Sequence, residues 1–189
     1  MLDSLYEKVK FAGVWLDMNE YANHCDGPCE TPSGPSKFDY TNDLPYTPGE
    51  DSIESDTIPL NSTHYGGLQE ADVHAFAAFL ETEATYKFLK DKGTMPFILT
   101  RSSTFGSNKF GFHWTGDNQA TFEFLRSSIP NILLNQMWGF QMVGADICGF
   151  AGNTTEELCS RWFQLATVYP FARTHNHKNS ISQEPYALG

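Results

Sequence analysis

Phe11-Ala12-Gly13-Val14-Trp15-Leu16 runs directly into Asp17-Met18-Asn19-Glu20. An apolar run this short suits a strand buried on both faces, as parallel strands are. Acidic and amide side chains at the C-terminal end of such a strand are where α/β barrels carry their chemistry. The stretch therefore predicts a buried parallel strand presenting Asp17 at its outer end.

The pattern recurs downstream. Met95-Pro96-Phe97-Ile98-Leu99-Thr100 ends on Arg101-Ser102-Ser103-Thr104, and Phe140-Gln141-Met142-Val143-Gly144-Ala145 ends on Asp146. Between these runs lie helix signals. Val73, Phe76, Phe79, Leu80, Ala84 and Phe88 recur three and four apart, predicting an amphipathic helix over residues 70–90 with these as its apolar stripe and Gly93 as its stop. After His113-Trp114-Thr115-Gly116-Asp117-Asn118, one helical stretch passes Phe122 and Leu125, a further helix covers residues 129–137 and Gly139 closes it. Residues 154–169 give another helix before Arg173-Thr174-His175-Asn176. Residues 21–66 read as a long irregular loop after the first strand, rich in Pro, Gly, Asp, Asn and Ser as far as Thr57. Strand and helix alternate, which implies parallel strands in a barrel or a doubly wound sheet. Neither a glycine-rich phosphate fingerprint nor a P-loop is present, and strand ends bearing Asp17, Arg101 and Asp146 favour a (β/α)8 barrel.

Composition narrows the partners. With 40% hydrophobic residues in 189, the chain can bury a core, and a net charge of -11 argues against nucleic acid, whose binding needs clustered Lys and Arg. No apolar stretch approaches the roughly 20 residues that cross a bilayer, and the N-terminus has no signal-peptide zones. The 15 Phe, 8 Tyr and 4 Trp offer flat faces on which pyranose rings pack, although such residues are ordinarily core. Asn61-Ser62-Thr63 and Asn153-Thr154-Thr155 are glycosylation sequons, and with Cys25, Cys29, Cys148 and Cys159 they point to the secretory pathway, lysosomal or extracellular, under a targeting segment not contained in this chain.

Glycoside cleavage needs one ionised and one protonated carboxyl group flanking the scissile bond, and Asp17 and Asp117 are candidates from two separate strand ends. Spacing alone does not select them, because 23 acidic residues offer many pairs and a strand-end Asp serves as often as a helix cap.

Trp15-Leu16-Asp17-Met18-Asn19-Glu20 resembles the nucleophile signature of glycoside hydrolase family 31, the α-glucosidase family. The likeness continues, in family order, through Thr100-Arg101-Ser102, His113-Trp114-Thr115-Gly116-Asp117-Asn118, Gly144-Ala145-Asp146-Ile147-Cys148-Gly149-Phe150, Arg173-Thr174-His175-Asn176 and Gln183-Glu184-Pro185. It is strongest to the group holding lysosomal acid α-glucosidases, maltases and sucrases. The resemblance implies a partial TIM barrel, about strand 4 to strand 8, with residues 1–189 as its C-terminal part and the N-terminal barrel half and flanking β domains without counterpart. It implies retaining, exo-acting hydrolysis of α-glucosides or oligosaccharides of the maltose type, without cofactor or metal. Asp17 corresponds to the nucleophile and Asp117 to the acid/base. Arg101, Asp146 and His175 correspond to ligands of sugar hydroxyls, and Trp15, Met18, Trp114 and Phe150 to pocket walls. Cys148 and Cys159 match a pair bridged in many relatives, while Cys25 and Cys29 suit a local bridge in the loop. A zinc site from Cys25, Cys29 and His24 or His64 is the rival there, but no second close ligand pair completes it.

Two departures bear on function. Relatives of this kind follow the signature with Pro or Ser and then Asn-Phe, whereas Tyr21-Ala22-Asn23-His24 stands here, so the outer subsites are expected to differ. A barrel typically takes about 250 residues, and the competing reading is a noncatalytic carbohydrate-binding or inactive truncated product.

Overall fold

A computed structural model describes residues 2–24 and 56–188. Cys25 and Cys29 lie outside the described residues.

The chain opens on a short helix α1 (Leu2–Lys8) and enters β1 (Gly13–Leu16). A helical turn α2 (Glu70–Val73), a 3-10 turn (His74–Phe76) and the long α3 (Ala77–Asp91) lead to β2 (Phe97–Thr100). A single 3-10 turn (Ser107–Lys109) joins β2 to β3 (Phe112–Trp114). Then come α4 (Phe122–Met137), β4 (Val143–Gly144), β5 (Asp146–Ile147), α5 (Glu156–Ala166) and β6 (Arg173–Thr174).

β1, β2, β3 and β4 pair in that order, all parallel, and β5 pairs parallel with β6. Only Ala145 separates β4 from β5, so residues 143–147 act as one passage that hands the pairing from β3 to β6. A doubly wound sheet reverses its strand order at a switch point. The order here never reverses, which is the barrel arrangement.

β6 was not evident in the amino-acid pattern, and β3, implied by the strand end at Asp117, had no legible bounds, because two or three residues are too few to show a period. Two helix expectations are corrected. Residues 122–137 form one helix that continues through Pro130; the Ser127 and Ser128 hydroxyls donate to the Phe124 and Leu125 carbonyls a turn earlier. In α3 the inward stripe is Ala78, Thr82, Thr85 and Leu89, while Phe76 and Leu80 stand 46% and 58% exposed. Thr82 can go inside because its hydroxyl donates to the Ala78 carbonyl and its methyl packs beside Gly111.

Helix ends follow the expected chemistry. Thr121 and Thr155 cap α4 and α5 by accepting from the amides of Phe124 and Leu158. Gly93 and Gly139 close α3 and α4 at φ 76° and 96°. One core gathers Ile147, Leu158, Trp162 and Ala166 around the Cys148–Cys159 disulfide, and another gathers Ile132, Phe140 and Val143.

Candidate active site

The strand ends carry the polar residues onto one rim. Asp17 follows β1, Arg101 follows β2, and Asp117 comes three residues after β3. Arg101 is their meeting point. Its Nη1 lies 3.1 Å from Asp17 Oδ1 and 3.8 Å from Asp117 Oδ2, while its Nε and Nη2 fork onto the two oxygens of Glu20 at 2.9 and 2.8 Å. Bidentate pairing of this kind fixes the plane of the guanidinium as well as its position. Partial burial, the largest single influence, raises the Glu20 pKa, but the Arg101 hydrogen bonds, a backbone hydrogen bond and the Arg101 charge together outweigh it and hold the carboxyl below its ordinary value. The same bonds raise Arg101.

Backbone and amide contacts set these groups in place. Met18 takes the left-handed conformation, φ 54°, and its amide donates to Asp17 Oδ1 at 2.9 Å. Asn19 bolts the end of β1 to the end of β2, its Nδ2 donating to Thr100 Oγ1 and its Oδ1 accepting from the Ser102 amide. Asn118 performs the same service across the rim, donating to the Asp146 carbonyl and accepting from the Phe150 amide.

Beneath lies an aromatic layer. The Arg173 guanidinium sits 5.3 Å from the Trp15 ring centre and 5.0 Å from that of Trp114, and forks onto Asp146 Oδ1 at 3.2 and 2.8 Å. His175 stacks on Phe150 at 5.1 Å and meets Trp15 edge-on at 5.8 Å. Trp15 and Met18 are open to solvent, Phe150 and His175 are half-buried, and Trp114 and Asp146 are fully buried. Burial pushes the Asp146 pKa up, more than Arg173 pulls it down. Among the described residues, Trp114 Nε1 and Asp146 Oδ2 are buried polar atoms without a hydrogen-bond partner.

Every residue expected at the site thus falls into one of two adjoining groups: Asp17, Asp117 and Arg101 on the rim, and Trp15, Trp114, Asp146, Phe150 and His175 in the layer below, with Met18 exposed beside Asp17. Glu20, Asn19, Asn118 and Arg173 were not assigned roles from the sequence, although all stand inside the quoted motifs. The usable signal was their charge and amide chemistry beside the candidates.

The model of the glycosyl hydrolases family 31 TIM-barrel domain matches residues 1–189. The chain belongs to glycosyl hydrolase family 31. It is 44% identical to a probable alpha-glucosidase of Oryza sativa subsp. japonica, over 92% of this chain and 19% of that protein. It is 40% identical to alpha-xylosidase 1 of Arabidopsis thaliana, over 96% of this chain and 22% of that one. Among solved structures, the glucosidase II alpha subunit superposes with a TM-score of 0.67 at 38% identity, covering 74% of this chain and 15% of that one. This family 31 chain therefore spans about a fifth of the length of the curated relatives it matches.

Proposed function

We propose that this chain supplies the catalytic carboxyl groups of a retaining α-glucosidase acting on maltose-type oligosaccharides. One observation carries the reading: a single nitrogen of Arg101 lies within 3.1 and 3.8 Å of carboxyl oxygens from Asp17 and Asp117, which come from different strand ends. That convergence is compatible with the roughly 5 to 5.5 Å between carboxyl groups in retaining glycosidases.

In the first step the Asp17 carboxylate attacks the anomeric carbon, the glycosidic C–O bond breaks, and the leaving oxygen takes the proton of Asp117. In the second, Asp117 accepts a proton from water as that water attacks the same carbon and expels Asp17. Two inversions give net retention. Arg101 on the rim and His175 in the layer below bind sugar hydroxyls, and Trp15, Met18, Trp114 and Phe150 wall the sugar. Trp114 Nε1–H, a donor, and Asp146 Oδ2, an acceptor, are each left without a partner among the described residues, and each suits a sugar hydroxyl, which can both accept and donate.

Labelling the full-length protein with 5-fluoro-glucosyl fluoride tests the assignment: the sugar ester is expected on the peptide containing Asp17. A label elsewhere, or undiminished turnover by Asp17→Asn, overturns it. Because relatives include both an alpha-glucosidase and an alpha-xylosidase, turnover of α-glucosides against α-xylosides decides the sugar. A secretory-pathway address is supported by the Cys148–Cys159 disulfide and the exposed Asn61 and Asn153 sequons. Loss of apparent mass on treatment with peptide N-glycosidase checks it.

A further inference from the structure

Glu70 has no part in the reaction above, yet its side chain is fully buried. Its two oxygens are divided between two rings, Oε2 meeting His64 Nε2 and Oε1 meeting His74 Nδ1, each at 2.5 Å. Each carboxyl oxygen thus has one ring nitrogen as its partner, and both ring orientations are fixed. Leaving a buried carboxyl group without these partners is costly, which makes the arrangement firm.

The two rings flank Tyr21. His64 stacks on it at 5.8 Å with planes 27° apart, and His74 meets it edge-on at 6.1 Å. The Tyr21 carbonyl accepts from the Thr57 hydroxyl, and the Asn23 amide donates to the Asp56 carbonyl at 2.6 Å. Tyr21 directly follows Glu20, whose carboxylate aims Arg101 at Asp17 and Asp117.

We infer that Glu70 is a positioning residue: by holding His64 and His74 against Tyr21, it fixes the Glu20 carboxylate and, through it, the Arg101 guanidinium at the nucleophile. The inference rests on Asp17 being that nucleophile.

The test uses the full-length protein, with kcat counted per site labelled by the fluoro-sugar so that unfolded molecules do not enter. Glu70→Leu removes both acceptors at similar volume, and Tyr21→Ala removes the clamped ring. Each is expected to lower kcat about tenfold or more with KM nearly unchanged, since small misplacements at a reacting centre cost up to roughly 10²-fold. The double variant should be no worse than the poorer single one, because both act along one path. Glu70→Gln should recover most of the rate: its amide oxygen accepts from one ring and its NH2 donates to the other in the alternative tautomer. Wild-type kcat in folded Glu70→Leu or in Tyr21→Ala, or losses that multiply in the double variant, overturns the inference. Should Glu70→Leu not fold, Tyr21→Ala alone decides. Failure of the wild type to turn over or to label at Asp17 would instead remove the reading beneath it.

Discussion

Arg101 and Arg173 serve the same strand ends in opposite ways. Arg101 is shared among Asp17, Glu20 and Asp117, whose side chains remain 30 to 49% exposed. Arg173 is committed to one oxygen of a fully buried carboxylate and packed against a pair of touching indole rings. Solvent-screened pairs contribute little to stability, whereas breaking a buried pair strands a charge in a poor solvent. The first arrangement can be rearranged at little structural cost. The second is framework.

If that contrast holds, Arg173→Met should produce the largest loss of stability. It leaves Asp146 buried without its cation, for a cost of about 3 to 5 kcal/mol in denaturant titration. Arg101→Met should show the reverse signature, with kcat/KM falling about 10²-fold and stability changing by less than about 1 kcal/mol. Comparable stability losses from the two would erase the distinction. Removing the Cys148–Cys159 bridge, which closes 11 residues beside Asp146, should cost about 2 to 3 kcal/mol and leave Arg101 and its partners undisturbed. Thermal melts with and without reductant give that number.

The smallest effect sharpens the contrast by pH. The folded Glu20 pKa lies below its ordinary 4.5, so its contribution to stability is present above that pH and lost as the pH falls through the lowered value. Asp146 is raised above its ordinary 3.8, so its contribution is greatest below that pH and is eroded as the pH rises through the raised value. Glu20→Gln should therefore flatten the acid limb of the stability curve, by at most about 1 kcal/mol. Asp146→Asn should flatten the opposite limb.

The sequence carried the barrel in the three apolar runs that end on polar residues, and the helix stops in Gly93 and Gly139. It concealed what depends on partners far along the chain. The inward face of α3 reads as polar because threonine looks hydrophilic until its hydroxyl is satisfied by its own helix, as Thr82 is. The helices expected around Phe122 and over 129–137 read as separate, yet burial of Ser128, Ile132 and Asn135 along one face keeps α4 whole through Pro130. At the site the candidates themselves were legible from their motifs, but which carboxylates would share Arg101, and which would stay with Arg173, was not. Those choices are made across separations of 16 to 84 residues.

Met18 carries a methionine where the backbone conformation favours glycine, immediately beside Asp17. Such a conformation costs a side chain roughly 1 to 3 kcal/mol, and Met18 is 72% exposed, so little burial repays it. The same turn directs the Met18 amide onto the Asp17 carboxylate. Heat tolerance and bite therefore pull against each other at one position. A screen that rewards survival on heating would drift towards glycine there, and the hardier protein it selects would hold the Asp17 carboxylate more slackly.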